Sequence, residues 1–501
     1  MSEPLDIVIL GGGTAGWMAA TAFASLIPPN RCRVRLVESE KIGIVGVGEA
    51  TFPEIRNFNA AVGIDEAEMM RATKAAFKLG IQFVDWGFKG SRYIHPFGVH
   101  GPVGMDHIFH HRWLRALRLG LKVDIQDYSF AAQAARDCRF ELPETRRSTI
   151  DSAYSYAYHF DAGLYALYLR SVAEQRGAIR TEGKVRDIVQ DPETGDVRAL
   201  VLESGETISG DLFIDCSGFR SLLLGKTLGT AWKDWSKWLP CDRAWAVPSA
   251  RDELSPYTRS TAMEAGWRWR IPLQHRTGNG YVFSSSFISE DEAAGALMRS
   301  LETEALGEPR LVKFQTGHRT ISWAKNCVAV GLASGFFEPL ESTSIYLIQV
   351  AIMELVRLLP DKRIDPRLRD EFNQRIDLQY ERIRDFLILH YKLTSREDAE
   401  IWRYCGAMDV PESLARKIEL FRHSAIIERY KDGLFPPTSW LSVLIGQGLI
   451  PENYSPLADG MPEERLIAHL EEFRTDIQDR VDEMLPHDRF IDRYCAAETL
   501  S

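Results

Sequence analysis

The chain has 501 residues, 45% of them hydrophobic and 26% charged, with a formal net charge of -10. Such a composition describes a globular protein with an ample core, built as one large domain or two to three ordinary ones. The acidic balance, with no block of Lys or Arg, argues against nucleic acid as a partner. Residues 6–10 predict a buried parallel strand, residues 14–26 a helix and Arg33–Glu38 the next strand, a βαβ opening. An apolar strand that begins at Ile7 leaves no room for a signal peptide, so a cytoplasmic location is expected. In residues 77–83, Phe77, Leu79, Ile81 and Phe83 alternate with Lys78, Gly80 and Gln82, which predicts one strand with the latter three on a common face. Taken alone, a strand lysine is a solvated surface group. His110-His111 lacks a spaced third ligand and reads as helix surface, so no metal is expected. A helix over Ala162–Gln175, a strand near Lys184–Val189, a turn at Pro192–Asp196 and a returning strand lead into Asp211–Gly218.

Residues 241–325 read as partly β, with a turn at Gly278-Asn279-Gly280. From Glu341 the pattern is mostly helical, the first helix running to Leu359. The apolar stretch Ile345–Leu359 contains Gln349, Glu354 and Arg357 and is too short to span a bilayer. Pro360–Pro366 marks a boundary between residues 1–360 and a helical region, 361–501, interrupted at Pro436-Pro437 and Pro451. The seven cysteines are scattered and odd in number, with no C-x-x-C pair, so no disulfide framework or zinc site is indicated.

Two stretches carry chemistry. Gly11, Gly13 and Gly16 satisfy G-x-G-x-x-G directly after a strand, and Thr14 and Ala15 open the helix that follows. Glycines there permit a tight turn and let a pyrophosphate reach the helix N-terminus. Glu38, at the end of the second strand, is placed for ribose hydroxyls. The motif alone does not separate NAD from FAD, but the chain has no second copy for a nicotinamide cofactor. Farther on, Glu341-Ser342-Thr343-Ser344 starts a helix whose free backbone N–H groups can bind an anion. Simple N-capping by Ser342 is the other reading, and both can hold. Glu341 on its own is an acid favoured by the helix dipole.

Further strings extend these two: Gly46-Val47-Gly48-Glu49-Ala50-Thr51, then Lys78 before Tyr93–Gly98, then Trp267-x-Trp269-x-Ile271-Pro272. With Glu338–Ile345, they make the chain resemble the flavin-dependent tryptophan halogenase family over nearly its whole length. The resemblance implies an α/β fold: an FAD-binding, flavoprotein-monooxygenase-like domain with a β-rich substrate region and a helical C-terminal region. It implies FAD, used as FADH2 from a separate flavin reductase, with chloride or bromide as co-substrate. Ala50, Val185, Leu332 and Ile345 would line the flavin, although Val185 and Leu332 alone read as ordinary core. A halide would lie on the amides of Thr343 and Ser344. Hypohalous acid would travel to Lys78, which hydrogen-bonds it or becomes a haloamine. Glu341 would stabilise the cationic intermediate and help remove its proton. Trp267 and Trp269 would wall the flavin side, and His95, Pro96 and Phe97 would sandwich the substrate ring.

Two departures bear on specificity. Ser344 replaces the glycine of the family's E-S-T-G-I. The stretch Leu434–Val443 lacks the paired tyrosines that clasp an amino-acid backbone, its large aromatics being Phe435 and Trp440. Trp440 either closes the pocket or belongs to the core. A small aromatic substrate is expected, indole or an indole-bearing molecule rather than free tryptophan. A homodimer is compatible with all of this. Two other readings remain open at this level: an aromatic monooxygenase in which Lys78 is dispensable, and an FAD-binding protein that has lost catalysis.

Overall fold

The computed structural model describes residues 3–40, 48–144, 153–430 and 432–497. Gly46 and Val47 of the string before Thr51 lie outside the described residues. Leu5–Leu10 forms the expected strand, and its apolar residues are buried on both faces, as in a parallel sheet covered by helices. It sits inside a six-stranded sheet between Cys32–Glu38 and Leu212–Asp215, parallel to both. Thr14–Leu26 and Ala162–Gln175 are helices with the predicted bounds. Asp161 caps the latter, its carboxylate accepting from the Gly163 and Leu164 amides. Val185–Gln190 and Val197–Leu202 pair antiparallel about the predicted turn.

The β-rich region is a seven-stranded sheet in which Gly266–Pro272 lies between Tyr257–Ala262 and Thr277–Phe283. Gly278-Asn279-Gly280 is not a turn; it lies inside the Thr277–Phe283 strand. The glycines serve packing instead: a Cβ on Gly280 would overlap the Trp269 ring, and Gly278 lies against Gly48. The chain reverses just before, where the Leu273 amide donates to Arg276 O at 2.9 Å.

Residues 77–83 do not form one strand. Ala76–Lys78 pairs with Ala157–Asp161 in a three-stranded sheet that also holds Gly48–Ala50. Gly80–Val84 belongs to the seven-stranded sheet. The break falls at Leu79, whose amide donates to Pro256 O at 2.7 Å. Gly80 permits the change of sheet, because any Cβ there would overlap His95 O. Lys78 therefore shares no face with Gly80 and Gln82, and it is fully buried rather than solvated. The alternation marks no solvent face, since every residue from Ala76 to Phe83 is buried.

Beyond residue 360 the chain is largely helical, opening with the long Pro366–Lys392 helix. One apolar core takes in Ile7, Phe83, Trp267, Phe386 and Leu470, so residues on both sides of position 360 pack together. Leu434–Val443 is only partly a loop, because a helix runs over Pro437–Gly446. Among the described residues, no helix is long and apolar enough to cross a membrane. His110 and His111 are buried, not on a helix surface. The His110 ring meets Ala425 O through Nε2, and His111 Nδ1 accepts from the Ser455 amide. No metal-holding cluster occurs among the described residues. Six of the seven cysteines are buried and Cys138 is half-buried.

Candidate active site

A cavity of about 820 Å³ lies at the glycine turn, outside the carboxyl ends of the Leu5–Leu10 and Leu212–Asp215 strands. That is where open α/β sheets bind their ligands. Gly11 has φ 114, and a Cβ there would overlap Cys216 O; one on Gly16 would overlap Gly11 O. Gly13 faces open space. The turn therefore has the close approach a pyrophosphate needs, and the residues present fit a dinucleotide. Gly11, Gly13, Thr14, Ala15, Glu38, Ala50, Val185, Leu332 and Ile345 all line this cavity, while Gly16 sits behind it.

Sequence reasoning passed over two supports. Gly12 is one, since a Cβ there would overlap the Glu38 carboxylate. Arg180 is the other, its Nε donating to Glu38 Oε1 at 2.6 Å and fixing that side chain. Glu49, on the cavity wall beside Ala50, is pushed up to about 7 by burial and then by Asp161. Trp269 also lines the cavity. Trp267 does not, and its indole N–H donates to Glu338 Oε1 at 3.0 Å. Burial pushes the Glu338 carboxyl up to about 7, against the pull of its bonds to Tyr391 and Trp267.

The Glu338–Ile345 string departs from its expected form. The helix runs over Thr343–Arg357, not from Glu341 to Leu359. Glu341 and Ser342 precede it with φ 65 and 59, in the left-handed region. Ser342 makes no side-chain cap. Its hydroxyl instead accepts from Lys78 Nζ at 2.9 Å, the same distance at which Lys78 donates to Thr51 O. Ser342 thus leaves the first N–H groups of the helix uncapped, as an anion site requires. Ser344 lines the cavity; Thr343 is fully buried beside it.

Lys78 is the hinge of the arrangement. Its ammonium position lies 5.0 Å from the centroid of the Phe97 ring. Burial pulls the amine down to about 7, a shift that the Glu341 charge only partly opposes. Phe97 and Pro96 line a second cavity of about 680 Å³ with Phe52, Leu434, Pro436, Pro437 and Leu441. Ser342 lines the first cavity and Phe97 the second, so Lys78 stands between them.

His95 and Trp440 lie off the wall of the second cavity. His95 is fully buried, with Nδ1 2.8 Å from Glu341 Oε2. Trp440 packs edge-on against Phe386 at 5.1 Å, while its neighbours Ser439 and Leu441 face the cavity. Trp440 is therefore a core residue behind the wall, because helix formation from Pro437 turns it inward. A residue absent from the sequence reading completes the cluster: His390, whose Nε2 is 2.9 Å from Glu341 Oε1. Burial alone would raise the Glu341 carboxyl, but His95 and then His390 hold it down at about 2.

Comparison with known proteins places this geometry. The family model described as Tryptophan halogenase matches residues 6–463. The chain is 35% identical over 496 residues to tryptophan 7-halogenase KtzQ of Kutzneria sp. (strain 744), covering 91% of this chain and 92% of that one. The structure matches BrvH, a flavin-dependent halogenase from Brevundimonas sp. BAL3, with a TM-score of 0.94 and 45% identity over 98% of this chain and 99% of that one. It matches Xcc4156, a flavin-dependent halogenase from Xanthomonas campestris, with a TM-score of 0.96 and 44% identity over 100% of both chains. With a family match of that extent, and the two-cavity layout that accompanies it, the chain belongs to the tryptophan halogenase family and is a flavin-dependent halogenase.

Proposed function

We propose that the enzyme halogenates an electron-rich aromatic ring, an indole without an amino-acid backbone, and that Lys78 delivers the halogen. One observation carries this reading: Lys78 touches the wall of the dinucleotide cavity through Ser342 and the wall of the second cavity through Phe97. FADH2 from a separate reductase, held by Gly11, Gly13, Thr14, Ala15 and Glu38, supplies with O2 and halide the hypohalous oxidant. The amides of Thr343 and Ser344 hold the halide at the helix start. Lys78 receives the electrophilic halogen, as a hydrogen-bonded acid or a haloamine, and presents it across Phe97. The aromatic carbon then forms its bond to halogen as the O–halogen bond of the acid or the N–halogen bond of the haloamine breaks. That electron pair leaves on hydroxide, released as water, or on the Lys78 amine, and the ring carbon gives up its proton. Glu341 stabilises the ring cation and takes part in that proton removal. A weak base suffices, since a carbon bearing both hydrogen and halogen in a ring cation is a strong acid. Trp269 closes the dinucleotide side.

The second cavity favours a flat apolar substrate. Its apolar walls are Phe52, Phe97, Leu434, Leu441 and the Pro436-Pro437 pair, and Glu54, Arg56, Asn57, Tyr154 and Arg429 line its polar side. The Leu434–Val443 stretch contributes no tyrosine. Arg56, which also lines this cavity, lies 3.8 Å over the Tyr156 ring. An unpaired ammonium or carboxylate desolvated here costs roughly 1–3 kcal/mol or more. Indole is therefore expected to show a higher kcat/KM than free tryptophan when both are fed by the same reductase. Tryptophan ahead by about tenfold, roughly 1.4 kcal/mol in transition-state terms, overturns this reading and points to Glu54 and Arg429 on the same wall.

The halide pocket sets a further expectation. Ser344 adds a side chain at the family's glycine position while keeping the amide donor. Bromide is expected to give at least as much product as chloride at equal concentrations. Mass spectrometry of a competition mixture decides it, and a strong excess of chlorinated product counts against this role for Ser344.

A further inference from the structure

The contacts of His390 fix more than its position. Its Nδ1 lies 2.8 Å from Phe386 O, a carbonyl that can only accept, so Nδ1 carries a proton. Its Nε2 lies 2.9 Å from Glu341 Oε1, and that contact also needs one proton. Whether the proton sits on nitrogen or on oxygen, Glu341 and His390 together carry no net charge. His95 completes the carboxylate through Nδ1, and its Nε2 has no hydrogen-bond partner among the described residues. Both histidines and Glu341 are sealed from solvent.

Burial keeps Tyr93 protonated and pushes His159 well below its usual range, and His487 is drawn down to about 4. Arg270, which acts on His159, is paired with Asp252 and Glu302. Among the described residues, Lys78 meets only neutral acceptors, Thr51 O and the Ser342 hydroxyl, both at 2.9 Å.

We propose that His390 is a positioning residue for halogen transfer: by offsetting the charge of Glu341 it keeps Lys78 available as a free amine. An ammonium has no lone pair with which to take a halogen; an amine does. An uncompensated Glu341 carboxylate would stabilise the ammonium instead. His390 acts through Glu341 from 49 residues away in sequence and touches neither cavity. The proposal rests on Lys78 being the halogen carrier.

The test is the pH profile of kcat/KM for indole bromination, with saturating FADH2 supply, in the parent and in His390→Gln. The acidic limb should move to higher pH by about one unit or more. At the alkaline plateau the variant should come within a few-fold of the parent. A fall by the same factor at every pH, or a shift the other way, overturns the proposal. FAD retention checks folding, and His390→Asn replaces His390→Gln if the glutamine variant loses flavin. Lys78→Ala is measured alongside. If that variant still halogenates, the carrier role itself has failed; if it is dead while the His390 profile is unmoved, only the inference about His390 has failed.

Discussion

Lys78→Ala is expected to bind FAD as the parent does and to yield no halogenated product. Among the described residues the side chain contacts the wall of the dinucleotide cavity through the Ser342 hydroxyl, so its loss leaves the glycine turn and Glu38 untouched. What disappears is the one amine between the two cavities among the described residues. Product formation should drop by about 10²-fold or more, the scale of a positioned catalytic group. Retained halogenation would remove Lys78 from the chemistry. The parent should show a matching pH dependence. Burial lowers this amine from 10.5 to about 7, so the reactive neutral form builds up as pH rises through about 7. Stability carries the same signature. Between about pH 7 and 10.5 the unfolded chain holds a proton that the native chain lacks, so the burial of Lys78 makes stability rise with pH in that window. Urea titrations at several pH values should show that slope flattened in the alanine variant.

Glu341→Ala should be strongly damaging to both folding and turnover. It leaves His95 and His390 buried with their shared acceptor gone. Breaking a buried ionic contact by removing one member costs about 3–5 kcal/mol. Denaturant midpoints read that loss directly, and a variant as stable as the parent would show that the cluster does not hold the site together. The acid side gives an independent reading. The carboxyl is held at about 2 against an ordinary 4.5, so its contribution is complete above pH 4.5 and is lost as pH falls towards 2. The alanine variant should lack that acid-sensitive share.

The nucleotide-binding half was legible because its signals are local. A strand, a glycine turn and a helix follow one another within residues 5–26, and the structure keeps them at those bounds. The errors arose where residues serve a neighbour distant in sequence. Gly278 and Gly280 carry the chemistry of a hairpin turn, but they are small because Gly48 and the Trp269 ring lie against them. The alternation around Lys78 resembles a half-exposed strand, yet both sides are covered and Leu79 hands the chain from one sheet to another. Trp440 could not be placed from its loop-like surroundings, because the helix after Pro436-Pro437 decides which way it points. His390 left no signal at all. It lies near the end of a 27-residue helix, and its partner sits on a left-handed residue before another helix.

The burial of the cysteines has a bearing on how long such an enzyme survives its own product. A catalyst that releases an electrophilic halogen risks being consumed by it, and the thiolate is the side chain most exposed to that fate. Cys216 lines the cavity in which, on the proposed function, the oxidant would arise. Burial, reinforced by the neighbouring Asp215, holds its thiol well above the ordinary range, so almost none of it is thiolate. Half-buried Cys138 is likewise pushed up to about 12, by burial and then by Glu253. On the proposed function, durability over many turnovers would rest on a contrast in basicity: the Cys216 sulfur on the cavity wall stays protonated, whereas burial draws the Lys78 amine down to about 7.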